Sequence, residues 1–280
     1  MAVNVAMAPA VAEGGSARWL PRALSALVLA PIALGAALLG SPYFAVLVGL
    51  GCAVLAWEWR RLLSGGRFGK VGWLLLAGTE AVVAAAAAGH LGAAAALALV
   101  AAGAVYIAVL RKSVASAAWH ALGVIYLAVP CMALLWLRQE AGSAAVLWLF
   151  LVVWATDITA FAAGRGLGGP RLAPRLSPRK TWAGLLGGLL AASAVGALLA
   201  PALGLSSRFL LASLSALVSL VAQGGDLAES AVKRHFGVKD MSGLIPGHGG
   251  LFDRVDGLLA AAPAVALIDL LSPGSAFSWR

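Results

Sequence analysis

Charge is what this sequence lacks. Only 11% of its 280 residues are Asp, Glu, Lys or Arg, while 62% are hydrophobic. A water-soluble domain carries about a quarter of its residues charged, so the composition excludes an ordinary soluble globule and describes a chain solvated by lipid. Cysteine is nearly absent. Cys52 and Cys131 both fall inside apolar runs, which excludes a disulfide framework and reads as small apolar filler. Residues 1–17 lack the basic stretch that opens a signal peptide. They are read as a disordered cytoplasmic leader.

What is present in abundance is apolar runs of about 20 residues, the length that crosses a bilayer as a helix. Cut where charge, Pro and Gly interrupt them, they give spans near 22–40, 42–57, 71–89, 92–110, 117–137, 144–163, 183–204, 208–224 and 253–271. Lipid cannot satisfy exposed backbone groups and the runs do not alternate as barrel strands do, so the element is the helix. The expected fold is an all-α polytopic membrane bundle of about nine transmembrane helices. Plentiful Gly and Ala suit close helix–helix approach. With the N-terminus inside, all but Arg138, Arg208 and Arg280 of the 20 Lys and Arg fall on the cytoplasmic side. That bias is the positive-inside pattern. Arg18, Arg60, Arg61, Arg67, Arg111 and Lys112 need no explanation beyond this topology and attraction to anionic headgroups.

Topology does not explain the acids. The 33 residues of 225–257, "GDLAESAVKRHFGVKDMSGLIPGHGGLFDRVDG", hold Asp226, Glu229, Asp240, Asp253 and Asp256 beside Lys233, Arg234, Lys239 and Arg254. A carboxylate at a membrane boundary is costly unless paired or bound to a cation. Asp226 follows the eighth span, and Asp253 and Asp256 open the ninth from one face of its first turn. Oxygen ligands of this kind suit Mg²⁺, which shares its remaining positions with phosphate oxygens. The surrounding bases seek phosphate. The glycines of "IPGHGGLFDR", among them Gly249 and Gly250, let a backbone approach an anion ahead of a helix N-terminus. Acids for metal, bases for phosphate and glycine for close approach describe phosphoryl or nucleotidyl chemistry.

Read as a whole, "SAVKRHFGVKDMSGLIPGHGGLFDRVD", 230–256, resembles the signature of phosphatidate cytidylyltransferases, the CDP-diacylglycerol synthases. Ser230, Lys233, Arg234, Lys239, Asp240, Pro246, His248, Gly249, Gly250, Asp253, Arg254 and Asp256 occupy its fixed positions. A second block, "TDITAFAAGRGLGGPRLAPRLSPRKTWAG", 156–184, is similar to that family's other conserved run through Asp157, Gly164, Arg165, Gly168, Ser177, Pro178, Lys180, Thr181, Trp182 and Gly184. It departs at Ala183, where the family usually has Glu, and at Phe161, where Tyr is common.

The resemblance implies transfer of CMP from CTP to phosphatidic acid, giving CDP-diacylglycerol and pyrophosphate, with Mg²⁺ required. On this reading Asp226, Asp253 and Asp256 hold the metal. Lys233, Arg254, Arg165 and Lys180 clamp phosphate, with Ser230 and Lys239 in support and Ser177, Arg234, Gly249 and Gly250 lining the substrates. Asp157, on the cytoplasmic half of span six, is given a site role. His248 is either an acid for the leaving pyrophosphate or a hydrogen-bonding post for the glycine turn.

The chain divides into the leader, 18–150 as N-terminal transmembrane helices, and 151–280 as the C-terminal transmembrane catalytic region. CTP, phosphatidic acid and membrane lipid are the expected partners, with no nucleic acid, and a homodimer is compatible with the sequence. The expected location is the inner membrane, with the N-terminus and the site loops cytoplasmic. A CTP-dependent polyprenol or phytol kinase is the nearer rival. A transporter, which needs polar residues near the midplane, is the other. Glu80, mid-span, reads as either functional or a paired structural acid. His235 reads as a surface residue, and His90 and His120 as interfacial. Trp19, Trp57, Trp59, Trp73, Trp119, Trp136 and Trp182 read as an aromatic belt.

Overall fold

The computed structural model describes residues 19–205, 207–245 and 249–272, with side chains from residue 27 onward. The leader, Pro246 and His248 lie outside the described residues. Within them the chain forms nine helices: α1 (Trp19–Leu39), α2 (Tyr43–Ser64), α3 (Gly69–Ala87), α4 (Leu91–Leu110), α5 (Val114–Glu140), α6 (Gly142–Gly166), α7 (Trp182–Ala202), α8 (Arg208–His235) and α9 (Phe252–Leu271). Seven of them, α2 to α8, are long and apolar enough to cross a membrane. The protein is an all-α polytopic membrane bundle.

Local chemistry sets where these helices begin and end. Ser113, Thr181 and Ser207 cap α5, α7 and α8, each side-chain oxygen accepting an amide three residues on. Gly65 ends α2 in the left-handed conformation, at φ +62°, and returns its N–H to the Arg61 carbonyl. The second and eighth spans are short as apolar runs, at 42–57 and 208–224. As helices they run on for two turns or more, carrying Glu58, Arg60 and Arg61 on α2 and Asp226, Glu229, Ser230 and Lys233 on α8. Lipid ends at the first charge, but backbone hydrogen bonding does not.

The polar loop between α6 and α7 folds into a two-stranded antiparallel hairpin, β1 (Arg171–Ala173) and β2 (Ser177–Thr181). Nothing in its Pro- and Arg-rich sequence alternates clearly enough to announce strands.

Helices pack closely where side chains are absent. A Cβ at Gly225 on α8 would stand 2.5 Å from the Ala260 Cβ of α9, and one at Gly188 on α7 would stand 3.1 Å from Thr156 of α6. The first of these approaches lets α8 and α9 present their acids to each other. Helices α5 and α6 supply much of the buried centre, while large apolar side chains such as Leu99, Leu190 and Leu198 stand outward for the acyl chains. A second core ties the two halves of the chain together. In it Trp59 of α2 lies against Tyr126 of α5 and stacks on Phe252 of α9, with ring centroids 5.7 and 5.8 Å apart. Trp59 is thus a core residue and not an interfacial anchor, because its indole N–H finds the Trp119 carbonyl, 3.2 Å away, inside the bundle. Cys52 and Cys131 are buried and unbridged, in keeping with apolar filler.

Candidate active site

Four polar residues of α8, Gln223, Asp226, Glu229 and Lys233, recur at spacings of three or four, so they line one face. That face meets the first two turns of α9. Asp226, Glu229 and Asp256 each place a carboxylate oxygen within 4.8 Å of the others. Glu229 is 1% exposed. Its Oε2 lies 2.7 Å from Lys233 Nζ, and its Oε1 meets no donor among the described residues. A buried carboxylate beside two half-buried ones needs compensating charge. Three converging carboxylates, one of them with an unpartnered oxygen, form a donor set that fits a hard divalent cation. Glu229, not singled out from the sequence, joins Asp226 and Asp256 in this cluster, and Asp253 lies beside it with partners of its own.

Asp253 is otherwise engaged. Its Oδ1 accepts from Lys233 Nζ at 2.8 Å, and its Oδ2 accepts the amides of Gly250 at 2.7 Å and Met241 at 3.0 Å. From the first turn of α9 it ties Met241 and Gly250 to that helix. Lys233 lies between two acids, so its charge is spent inside the protein, on Glu229 and Asp253. The glycines are likewise used by the loop itself. Gly249 adopts φ +83° and its carbonyl accepts the Ile245 amide at 2.8 Å. The space a Cβ would need at Gly250 is filled by the Glu58 carboxylate.

Glu58 was missed in the sequence. It is 0% exposed, deep in the protein at the end of α2. Its Oε1 accepts the Leu251 amide at 3.0 Å and the Ser242 hydroxyl at 2.5 Å, and its Oε2 accepts the Phe252 amide at 2.8 Å. It supplies the negative charge that the N-terminus of α9 favours, from almost 200 residues away. The signal was available: Glu58 is the sole acid of α2, and an acid in an apolar helix asks for a partner.

The hairpin closes the other side of the acids. Lys180 of β2 forms an ion pair with Asp226 at 2.5 Å and reaches the Gln223 carbonyl at 3.4 Å. Arg234 donates to the Leu176 carbonyl at 3.5 Å and to the Val238 carbonyl at 3.2 Å, so it ties the end of α8 to the hairpin. Ser230 is buried on α8, one turn beyond Asp226, and Ser177 is half-buried on β2. Asp157 and Arg165 are exposed on the last turns of α6, Arg254 on the first turn of α9, and Lys239 beyond α8. The structure therefore brings Asp226, Glu229, Asp256, Lys180, Lys233 and Asp253 into one constellation. A ring of exposed bases belongs to the elements around it.

The sequence profile of the Cytidylyltransferase family matches residues 20–271. A protein named phosphatidate cytidylyltransferase from Pseudomonas aeruginosa is 39% identical over 262 residues, 88% of this chain and 95% of the relative. Proteins of the same name from Brucella abortus and Brucella suis are 50% identical over 151 residues, 53% of this chain. In these the matched stretch spans only 56% of the relative's length. With the profile matched over nearly the whole chain, the protein belongs to the cytidylyltransferase family.

Proposed function

We propose that the protein transfers CMP from CTP to phosphatidic acid, releasing pyrophosphate and forming CDP-diacylglycerol. The observation that carries this reading is the trio Asp226, Glu229 and Asp256, with oxygens within 4.8 Å of one another beside Lys180 and Lys233. The names of the relatives support it.

Asp226, Glu229 and Asp256 would hold Mg²⁺. Bound there, the ion would supply positive charge to the phosphate oxygens of CTP. The protein's own share is positioning. The phosphate of phosphatidic acid is already a nucleophile and needs no strong general base. One of its oxygens bonds to the α-phosphorus of CTP as the bond from that phosphorus to the β-phosphate oxygen breaks, and the electron pair leaves with pyrophosphate. Lys180 sits beside Asp226 and is half-exposed, so it can turn its charge toward the triphosphate. Arg165 and Arg254, exposed at the ends of α6 and α9, are suited to hold phosphate oxygens, with Lys239 farther out. Lys233 acts through the carboxylates, fixing Glu229 and Asp253, and Ser230 and Ser177 line the approach. Asp157 is exposed near the end of α6, where it can orient the bases around it.

We place these loops on the cytoplasmic side of the inner membrane, where CTP is found, because nearly all bases fall on that side of the alternating helices. The reading is tested by incubating the purified protein with CTP and Mg²⁺, with and without phosphatidic acid, and measuring pyrophosphate. Release that depends on phosphatidic acid supports it, and equal release in both arms contradicts it.

A further inference from the structure

Arg60, first explained by topology alone, is not part of a solvated fringe. Three cationic side chains, Arg60, Arg67 and Lys112, together with the imidazole of His120, line one cavity of about 250 Å³ between the ends of α2 and α4 and the starts of α3 and α5. Among the described residues no carboxylate lines it. Arg60 is only 7% exposed, and its Nε, buried, meets no hydrogen-bond partner. His120 is 4% exposed, so it is not the interfacial residue expected. Its Nδ1 lies 2.6 Å from the Ser116 carbonyl, which fixes the ring as part of the cavity wall.

Like charges in a half-enclosed space repel, and a buried guanidinium without an anion is costly. Yet the fold builds this arrangement deliberately. The Ser64 hydroxyl lies 2.8 Å from the Arg60 carbonyl and against the Arg67 carbonyl, able to donate its one hydrogen to either, and so holds the α2–α3 connection that carries both arginines. The site is separate from the acidic trio. Successive helix residues turn by about 100°, so Arg60 points away from Glu58, which faces α9.

We propose that this cavity is a second anion site, which binds the phosphate of an anionic membrane phospholipid. Arg60 supplies a charged N–H, with Arg67 and Lys112 around the same oxygens. Two observations favour a lipid over free phosphate. The walls include the apolar Leu63 and Val109, and just outside stand the exposed Ile107, Leu110 and Val114, where acyl chains would lie. The cavity also falls below the ~300–1,000 Å³ of pockets for drug-sized ligands, which suits a phosphate with part of its glycerol and not a nucleoside triphosphate.

The full-length protein in detergent, titrated with phosphatidylglycerol and followed by native mass spectrometry, tests this. Arg67→Gln and Lys112→Gln change exposed side chains, so folding is spared where Arg60→Gln would endanger it. Each should weaken one lipid adduct by about tenfold, the scale of one charge-assisted hydrogen bond. Arg61→Gln, a base stacked over Trp57 and outside the cavity, should leave that adduct unchanged. Millimolar inorganic phosphate should not displace it. Adducts that are equal in all four proteins, or equally weakened by Arg61→Gln, would overturn the site. Complete displacement by inorganic phosphate would overturn the lipid as its occupant.

Discussion

Glu58, near the end of α2, accepts the amide of Phe252, the first residue of α9, at 2.8 Å. The bond joins the N-terminal half of the chain to the segment that carries Asp253 and Asp256. It explains why the early helices, which bear none of the expected site residues, belong to the site's construction.

Glu58→Gln keeps the shape but turns an acceptor-only group into one with two donors, facing the amides of Leu251 and Phe252 and the Ser242 hydroxyl. A buried hydrogen bond to charge is worth about 1.5–3 kcal/mol. Unfolding in mixed micelles should show a loss of that size, and turnover should fall because α9 starts less firmly. Unchanged stability and turnover would show that the cap is idle.

Lys233→Met should destabilise the protein by about 3–5 kcal/mol, the cost of leaving buried acids without their partner. Lys233 Nζ lies 2.7 Å from Glu229 and 2.8 Å from Asp253. Adding Asp253→Asn to that variant should restore part of the loss, and a purely additive double variant would argue against the coupling.

Metal affinity should separate the acids. Asp226→Asn, Glu229→Gln and Asp256→Asn should each raise the half-saturating Mg²⁺ concentration about tenfold or more. Asp253→Asn, whose oxygens are taken by Lys233, Gly250 and Met241, should chiefly lower stability and leave the Mg²⁺ requirement near normal. If Asp253→Asn shifts the Mg²⁺ curve and Glu229→Gln does not, the expected trio of aspartates is right and the observed one is incidental.

Sidedness is tested by cysteines introduced at 172, 237 and 141 in the natural membrane. The first two should react with an impermeant reagent from the cytoplasmic side and the third from the opposite side. The reverse pattern would remove CTP from reach of the loops.

Much of the fold was legible because lipid imposes one rule on every span: apolar runs of fixed length must be helices. The grouping of charge was legible where the residues lie in one run of sequence, as with Asp226, Lys233 and Asp253. It was hidden where partners are distant. Glu58 meets Leu251 and Phe252 across 193 and 194 positions, and no local pattern reports that pairing. Glu229 was passed over and the partners of Asp253 were not foreseen, because spacing shows which acids share a face. It does not show which oxygens the loop amides of Gly250 and Met241 will take. Arg60 was assigned to the membrane surface because a count of bases by side says nothing of burial, and His120 because a place near a span end says nothing of it either.

The central claim is that the nucleotide's α-phosphorus, and not its γ-phosphorus, reaches the lipid. It is tested most directly by two parallel incubations of the purified protein with phosphatidic acid and Mg²⁺, one with CTP labelled at the α-phosphate and one with CTP labelled at the γ-phosphate. The account predicts that α-label enters the lipid fraction as CDP-diacylglycerol while γ-label appears only in water-soluble pyrophosphate. Recovery of γ-label in the lipid, with α-label left in soluble CDP, would identify a kinase and contradict it.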